Sequence, residues 1–230
     1  MIQIAIPKAF RHSPLHCIPL FHELGHFIDQ ELLVTAVSTH INSDWLTEAR
    51  LFLPHLPLNE CRDIEISHRS ELFADIFAAC YLGTTNWQYL QSFSDNDIPS
   101  RTHPSLNARK KIALSFLRRH PDTLSDTFNV ALAARGARGS LDRKFRSVSQ
   151  FKSSLDDLRP PRSKSALNSY GLIREFWLYY KNFQRQRPQS LPWQVIPPND
   201  KFKILNDLAE KSIRNFFISE AWLRAVTSKT

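Results

Sequence analysis

The segment His22-Glu-Leu-Gly-His26 constrains the fold of this chain more than any other. Residues four positions apart lie on the same face of an α-helix, so a helix here would direct both imidazoles at one point in space. Glu23 would lie beside them, within reach of a water at that point. Two neutral imidazoles and an adjacent carboxylate are what a hydrolytic zinc site needs. Apolar residues flank the motif and predict a buried helix, in which these polar groups would be destabilising without a metal.

A second apolar segment, predicted to be a helix that ends near Gly83, offers the third metal ligand. A mononuclear catalytic zinc site takes three protein ligands. We favour Glu71 because apolar residues surround it, whereas the alternative ligand, His68, stands at the polar start of the segment. Asp75 follows one turn later and is predicted to hold the free ring nitrogen of a ligand histidine. The alternative for Glu71 and Asp75 is a pair of acids that only solubilise the edge of the helix.

A third segment, Arg101-Thr-His-Pro-Ser-Leu-Asn-Ala-Arg109, follows these two helices. Pro104 suits the first turn of a helix, with His103 just before it. Taken in order, the elements His-Glu-x-x-His, Glu-x-x-Ala-Asp and His-Pro-x-x-x-x-Arg resemble the gluzincin metallopeptidases. The third element resembles the corresponding segment of the family that contains the CAAX prenyl endopeptidase and its bacterial heat-shock relatives. The resemblance covers residues 15 to 120. The alternative for the third segment is a capped surface helix without a catalytic role.

The resemblance implies a zinc-dependent metalloendopeptidase that acts on a peptide or protein substrate. His22, His26 and Glu71 would hold Zn²⁺, which lowers the pKa of its bound water. Glu23 would be the general base that accepts a proton from this water and passes it to the departing amine.

Two residues of the third segment are candidates for a further catalytic role. His103 or Arg109 would stabilise the negative oxygen of the tetrahedral intermediate. The alternative function belongs to another class: a catalytically silent regulatory or partner-binding protein whose metal is structural. A closed zinc site with four protein ligands would favour that alternative.

Charge is distributed unevenly along the chain. Residues 1–100 carry five Lys and Arg against twelve Asp and Glu, whereas residues 101–230 carry 25 against ten. We therefore predict a zincin-like metallopeptidase domain over residues 1–120 and a basic helical region over residues 121–230, either separate or packed on the first as one unit.

The predicted fold class is mainly α, or α+β at most, with a zincin-like helical catalytic core. Met1 to Pro7 can supply one β-strand. Beyond residue 120, hydrophobic spacing predicts helices over residues 122–134, 141–158, 165–184 and 200–226, and an irregular proline-rich stretch over 188–198.

Basic charge interleaved with aromatic residues can indicate nucleic-acid binding. Here aromatic residues at helical spacing are expected in the core, which disfavours nucleic acid: Trp177, Tyr179, Tyr180, Phe216, Phe217 and Trp222. The basic region could instead bind an acidic partner.

Three cysteines without CxxC spacing, and an N-terminus without the features of a signal peptide, predict a cytoplasmic protein. No apolar run approaches the ~20 residues of a transmembrane helix.

Overall fold

The computed structural model describes residues 8, 12–44, 46–92, 97–120, 123–185 and 190–227. These residues form ten α-helices and two short 3-10 helices, Pro14–Cys17 and Ala49–Phe52, and they contain no β-strand. The predicted mainly α fold class is therefore confirmed. The strand predicted for Met1 to Pro7 lies outside the described residues.

The α-helices form two compact units. In chain order they are α1 (Leu20–Leu32), α2 (Val34–Ile41), α3 (Leu58–Leu82), α4 (Thr85–Gln91), α5 (Leu106–Arg118), α6 (Thr123–Ala134), α7 (Phe151–Asp156), α8 (Ala166–Arg185), α9 (Leu191–Val195) and α10 (Pro198–Thr227). The first unit is Pro19–Arg143 and contains α1 to α6. The second comprises Met1–Ile18 and Lys144–Thr230, as far as these ranges are described, and contains α7 to α10.

Helix α6 belongs to the first unit, although the charge pattern predicted a domain boundary at residue 120. It packs against α2 and α3. Phe128 of α6 is fully buried, and its ring meets that of Phe73 on α3 edge to face, with centroids 5.3 Å apart. This burial of large aromatic surface joins α6 to the apolar core of the first unit.

Helix α3 is the central helix of the first unit and packs against all five other helices there. Leu72, Phe73 and Ala74 are consecutive residues, so they point to different sides of the helix, and all three are buried. A helix that is apolar around much of its circumference is expected in the interior rather than at the surface. The acidic residues of α3 at positions 71 and 75 are buried with it.

Gly25, inside the His-Glu-x-x-His motif, lets α1 approach α3 closely. A Cβ atom built on Gly25 would lie 2.6 Å from the Cα atom of Ala74, which is shorter than real contacts allow. The missing side chain therefore permits a close crossing of the two helices. This crossing brings the two histidines of α1 against α3.

The second unit is organised around α8 and α10, which pack against each other. Of the four helices predicted beyond residue 120, three agree with α6, α8 and α10 to within two residues. The fourth helix, predicted over residues 141–158, begins only at Phe151, so the prediction is wrong for the residues before it. The chain there packs beside α8 instead: Arg146 N donates to Leu167 O over 3.1 Å, and a Cβ on Gly171 would clash with Arg146 O.

The proline-rich stretch is not irregular throughout, because Leu191–Val195 form α9. Trp193 on α9 is fully buried and donates from Nε1 to Leu155 O over 2.6 Å. Burial of this large ring with its N–H satisfied explains why a short helix forms here.

The aromatic residues of the basic region are not all in the core. Trp177 and Phe216 are buried, and Tyr179 and Tyr180 are half-buried. Phe217 and Trp222 are 62% and 72% exposed, so the core prediction is wrong for these two. The reason is that the side chains of α10 beyond Phe216 have little packed against them, and nearly all of them are exposed.

Two further expectations concern the cysteines and membrane-spanning helices. None of the three cysteines forms a disulfide bond. Among the described helices, none has both the length and the apolar character that crossing a membrane requires.

Candidate metal centre

Helix α1 directs His22 and His26 to one point. Their Nε2 atoms lie 3.0 Å apart, and the two ring planes are nearly perpendicular at 89°. His22 is buried and His26 is half-buried. The spacing of four residues therefore produces the convergence that helical geometry predicts.

Helix α3 places Glu71 opposite the two histidines. Its Oε2 atom lies 3.3 Å from His22 Nε2, and its Oε1 atom lies 3.3 Å from His26 Nε2. The donor atoms of the three side chains all lie within 4.8 Å of one another. No second group of this kind is found in the part of the chain that the structure describes. These three side chains could hold a metal ion.

The arrangement of the three side chains also suits a cation. Glu71 Oε2 is buried and accepts no hydrogen bond of good geometry from the described residues, although His22 Nε2 and Arg109 Nη2 each lie 3.3 Å from it. The two Nε2 atoms are close enough that a proton or a cation must lie between their lone pairs. A metal ion would satisfy the three donor atoms together.

Asp75 lies one turn after Glu71 on α3 and contacts His22. Its Oδ1 atom is 3.0 Å from His22 Nδ1, the ring nitrogen that faces away from Glu71. Arg109 of α5 donates from Nε and Nη2 to the two oxygens of Asp75, and Nη2 also lies 3.3 Å from Glu71 Oε2. Asp75 thus lies beside the second ring nitrogen of His22, and Arg109 contacts both carboxylates of α3.

These contacts set the charges of the group. Burial would lower the pKa of His22, but the nearby carboxylates of Asp75 and Glu71 outweigh burial and raise the pKa to about 9. Burial would raise the pKa of Glu71, but the neighbouring rings of His22 and His26 and the charge of Arg109 hold it far below its ordinary value. The pKa of Asp75 is lowered by His22 and Arg109 in the same way, against the effect of burial. Both carboxylates are therefore ionised, as a metal ligand and its support must be.

The second ring nitrogen of His26 has a partner that was not among the predicted site residues. His26 Nδ1 lies 3.2 Å from Ser70 Oγ, and Ser70 Oγ donates to Asp29 Oδ2 over 2.7 Å. Asp29 also accepts from Thr35 at the start of α2. Ser70 directly precedes Glu71 and Asp29 follows His26 by three residues, but neither belongs to the three sequence motifs.

His103 stands at the edge of the group. Its Nε2 atom lies 3.3 Å from Glu71 Oε1, and its side chain is 55% exposed. It is not one of the three residues whose donor atoms converge. The geometry therefore offers three protein ligands and an accessible imidazole beside them.

Two other predicted residues lie outside the group. Glu23 is exposed on α1, and within the described ranges its carboxylate has no hydrogen bond or ion pair. His68, the alternative third ligand, is buried, and its Nε2 atom lies 2.7 Å from Ser100 O. The structure therefore brings Glu71, and not His68, to the two histidines of α1.

In comparisons with known proteins, no family model, no curated protein and no solved structure matches this chain. The resemblance of the three motifs to the gluzincin metallopeptidases stays a prediction, and any functional conclusion depends on the geometry of the site.

Proposed function

We propose that this protein is a zinc-dependent metalloendopeptidase with His22, His26 and Glu71 as its metal ligands. The convergence of their donor atoms within 4.8 Å carries the proposal. Two histidines and one carboxylate form a ligand set of catalytic zinc sites. Magnesium and calcium favour sites made of oxygen ligands, so the two imidazoles favour zinc over either of these ions.

The number of ligands supports an enzyme over the catalytically silent alternative. A structural zinc site has four protein ligands, whereas a catalytic site leaves one position for water and substrate. Among the residues that the structure describes, three donor side chains converge here, and His103 beside them is largely exposed. The exposed edge of the group is where a substrate would enter.

Glu23 is the proposed general base. When bound, a zinc ion acidifies a coordinated water and polarises a substrate carbonyl. Glu23 accepts the proton of the attacking water and transfers it to the departing amine. Its exposed carboxylate supports this role, because no ion pair within the described ranges holds it away from a substrate.

His103 is a better candidate than Arg109 for stabilising the negative oxygen of the tetrahedral intermediate. The Arg109 side chain is 11% exposed and already binds Asp75 and Glu71. The imidazole of His103 is accessible and can donate a hydrogen bond to an oxyanion. Arg109 then acts as a positioning residue, because it holds Asp75 against His22.

The basic charge and the exposed apolar residues of the second unit favour an additional binding role for it. Residues 144–230 contain 16 Lys and Arg against seven Asp and Glu. On α10, Ile218 and Trp222 are four residues apart and more than half exposed, so they form an exposed apolar side of the helix of the kind that marks interaction surfaces. An acidic protein partner fits this combination of charge and apolar surface.

Metal analysis combined with a casein or peptide-library digest tests the proposed function. We expect about one zinc per chain and hydrolysis that a chelator abolishes and added zinc restores. A zinc-loaded protein that cleaves no peptide would support the catalytically silent alternative. A protein that binds no zinc would contradict both.

A further inference from the structure

We propose that Ser70 and Asp29 form a hydrogen-bond relay that fixes the tautomer of His26, so that the lone pair of its Nε2 atom faces the metal site. The inference rests on the metal centre proposed above. It assigns positioning roles to two residues that lie outside the three motifs.

The direction of each hydrogen bond in the relay follows from the chemistry of Asp29. An ionised carboxylate only accepts hydrogen bonds. Asp29 accepts from Thr35 N over 2.7 Å, from Thr35 Oγ1 over 2.5 Å and from Ser70 Oγ over 2.7 Å. The single hydroxyl proton of Ser70 is therefore directed at Asp29.

The hydroxyl oxygen of Ser70 is then left to accept. His26 Nδ1 lies 3.2 Å from it, so this ring nitrogen must carry the proton that makes the hydrogen bond. A neutral imidazole protonated at Nδ1 has its lone pair on Nε2. His26 Nε2 is the atom that lies 3.3 Å from Glu71 Oε1 and 3.0 Å from His22 Nε2. The relay therefore selects the tautomer that can bind a metal at this point.

Different side-chain groups contact the second ring nitrogens of the two ligand histidines. His22 faces a carboxylate, Asp75, directly. His26 reaches a carboxylate only through a hydroxyl group, which adds a third hydrogen-bonding group to the usual histidine–carboxylate pair. Because Ser70 directly precedes Glu71 on α3, one turn of this helix supplies both a ligand and the support of another ligand.

Substitutions of Ser70 test the relay without disturbing the contacts of Asp29 with Thr35. We expect Ser70→Ala to weaken zinc affinity by roughly 10- to 100-fold, the usual effect of removing a support of a metal ligand. Ser70→Thr keeps the hydroxyl and should restore most of the affinity. Ser67→Ala is the matched control, because Ser67 lies one turn earlier on α3 and donates to Thr102 O instead. Affinity is measured by competition with a chromophoric chelator.

Substitution of Asp29 by Asn reverses the relay. The amide nitrogen would donate to Ser70 Oγ, which frees the hydroxyl proton to point at His26 Nδ1. Long-range ¹H–¹⁵N correlation spectra report which ring nitrogen carries the proton. We expect Nδ1–H for His26 in the wild type and a shift towards Nε2–H in Asp29→Asn, together with weaker zinc binding.

The outcomes separate the relay from the metal centre. If the wild-type protein binds zinc, either of two results would overturn the relay alone. One is a His26 ring protonated at Nε2 in the wild type, and the other is unchanged zinc affinity in folded Ser70→Ala. Wild-type protein that binds no zinc would overturn the metal centre, and with it the purpose assigned to the relay. The tautomer of His26 can be measured in wild-type protein without metal, so the relay can be tested even if a variant folds poorly.

Discussion

Arg109 donates two hydrogen bonds to Asp75, from Nε to Oδ2 over 2.6 Å and from Nη2 to Oδ1 over 2.9 Å. Asp75 is 4% exposed and its Oδ1 atom also faces His22 Nδ1. This pair connects α5 to the histidines of α1 through α3. The last residue of the third sequence motif thus reaches the candidate metal centre as a support of its ligands.

Removing Arg109 should destabilise the protein. Arg109→Ala leaves the buried carboxylate of Asp75 without its guanidinium partner, and we expect a loss of about 3 kcal/mol or more in the free energy of unfolding. His103→Ala removes a largely exposed side chain and should change this free energy by less than about 1 kcal/mol. Denaturant unfolding of both variants measures the difference. Equal stabilities would show that Asp75 does not need Arg109.

Zinc content should depend on three residues. We expect about one zinc per wild-type chain, and sharply lower occupancy in His22→Ala, His26→Ala and Glu71→Ala, since each removes one of the three donors. Elemental analysis of the purified variants measures occupancy. His68→Ala is the control and should keep its zinc, because the His68 ring bonds to Ser100 O. Full occupancy in Glu71→Ala would reject Glu71 as a ligand.

Glu23→Gln should separate catalysis from metal binding. The amide keeps the shape of the side chain but cannot accept a proton, so peptide hydrolysis should fall by roughly 10²-fold or more while zinc remains bound. Steady-state cleavage of a peptide and metal analysis of the same sample measure the two effects. Loss of zinc together with activity would assign Glu23 a structural role instead.

Gly25→Ala should destabilise the first unit even though alanine is the better helix former. The new Cβ would meet Ala74 Cα at 2.6 Å, so α1 and α3 must move apart. Overpacking of this kind costs about 1–3 kcal/mol. We expect a lower midpoint of thermal unfolding and weaker zinc binding, because the ligands come from both helices.

Gly139→Ala is the matched control for this substitution. A Cβ at Gly139 meets no atom within 4 Å, so stability should be nearly unchanged. A Gly25→Ala protein as stable as this control would show that α1 and α3 can adjust without loss.

Substitution of two tryptophans of the second unit should change its stability by very different amounts. Trp193→Ala removes a fully buried ring and its hydrogen bond to Leu155 O, which should cost about 3–5 kcal/mol. Trp222→Ala removes a ring that is 72% exposed and should change stability by less than about 0.5 kcal/mol. Denaturant unfolding followed by circular dichroism compares them. A large loss for Trp222→Ala would show that the end of α10 is packed in solution.

Local sequence patterns were enough to predict most of the helices and part of the candidate site. The helical spacing of apolar residues located α8 and α10 to within two residues, because amphipathic periodicity is a property of consecutive residues. The convergence of His22 and His26 is equally local, since four residues make about one helical turn. Asp75 beside a ligand histidine could be anticipated from its position one turn after Glu71.

Only the tertiary structure decided the contacts between residues far apart in the chain. The Ser70–Asp29 hydrogen bond spans 41 residues and the Arg109–Asp75 pair spans 34. Neither has a local signal, because each depends on how two helices cross. The exposure of Trp222 has the same origin: its spacing on α10 suits a core position, but nothing in the local pattern tells whether another helix covers that face. Periodicity shows which residues share a side of a helix, and only packing determines what that side meets.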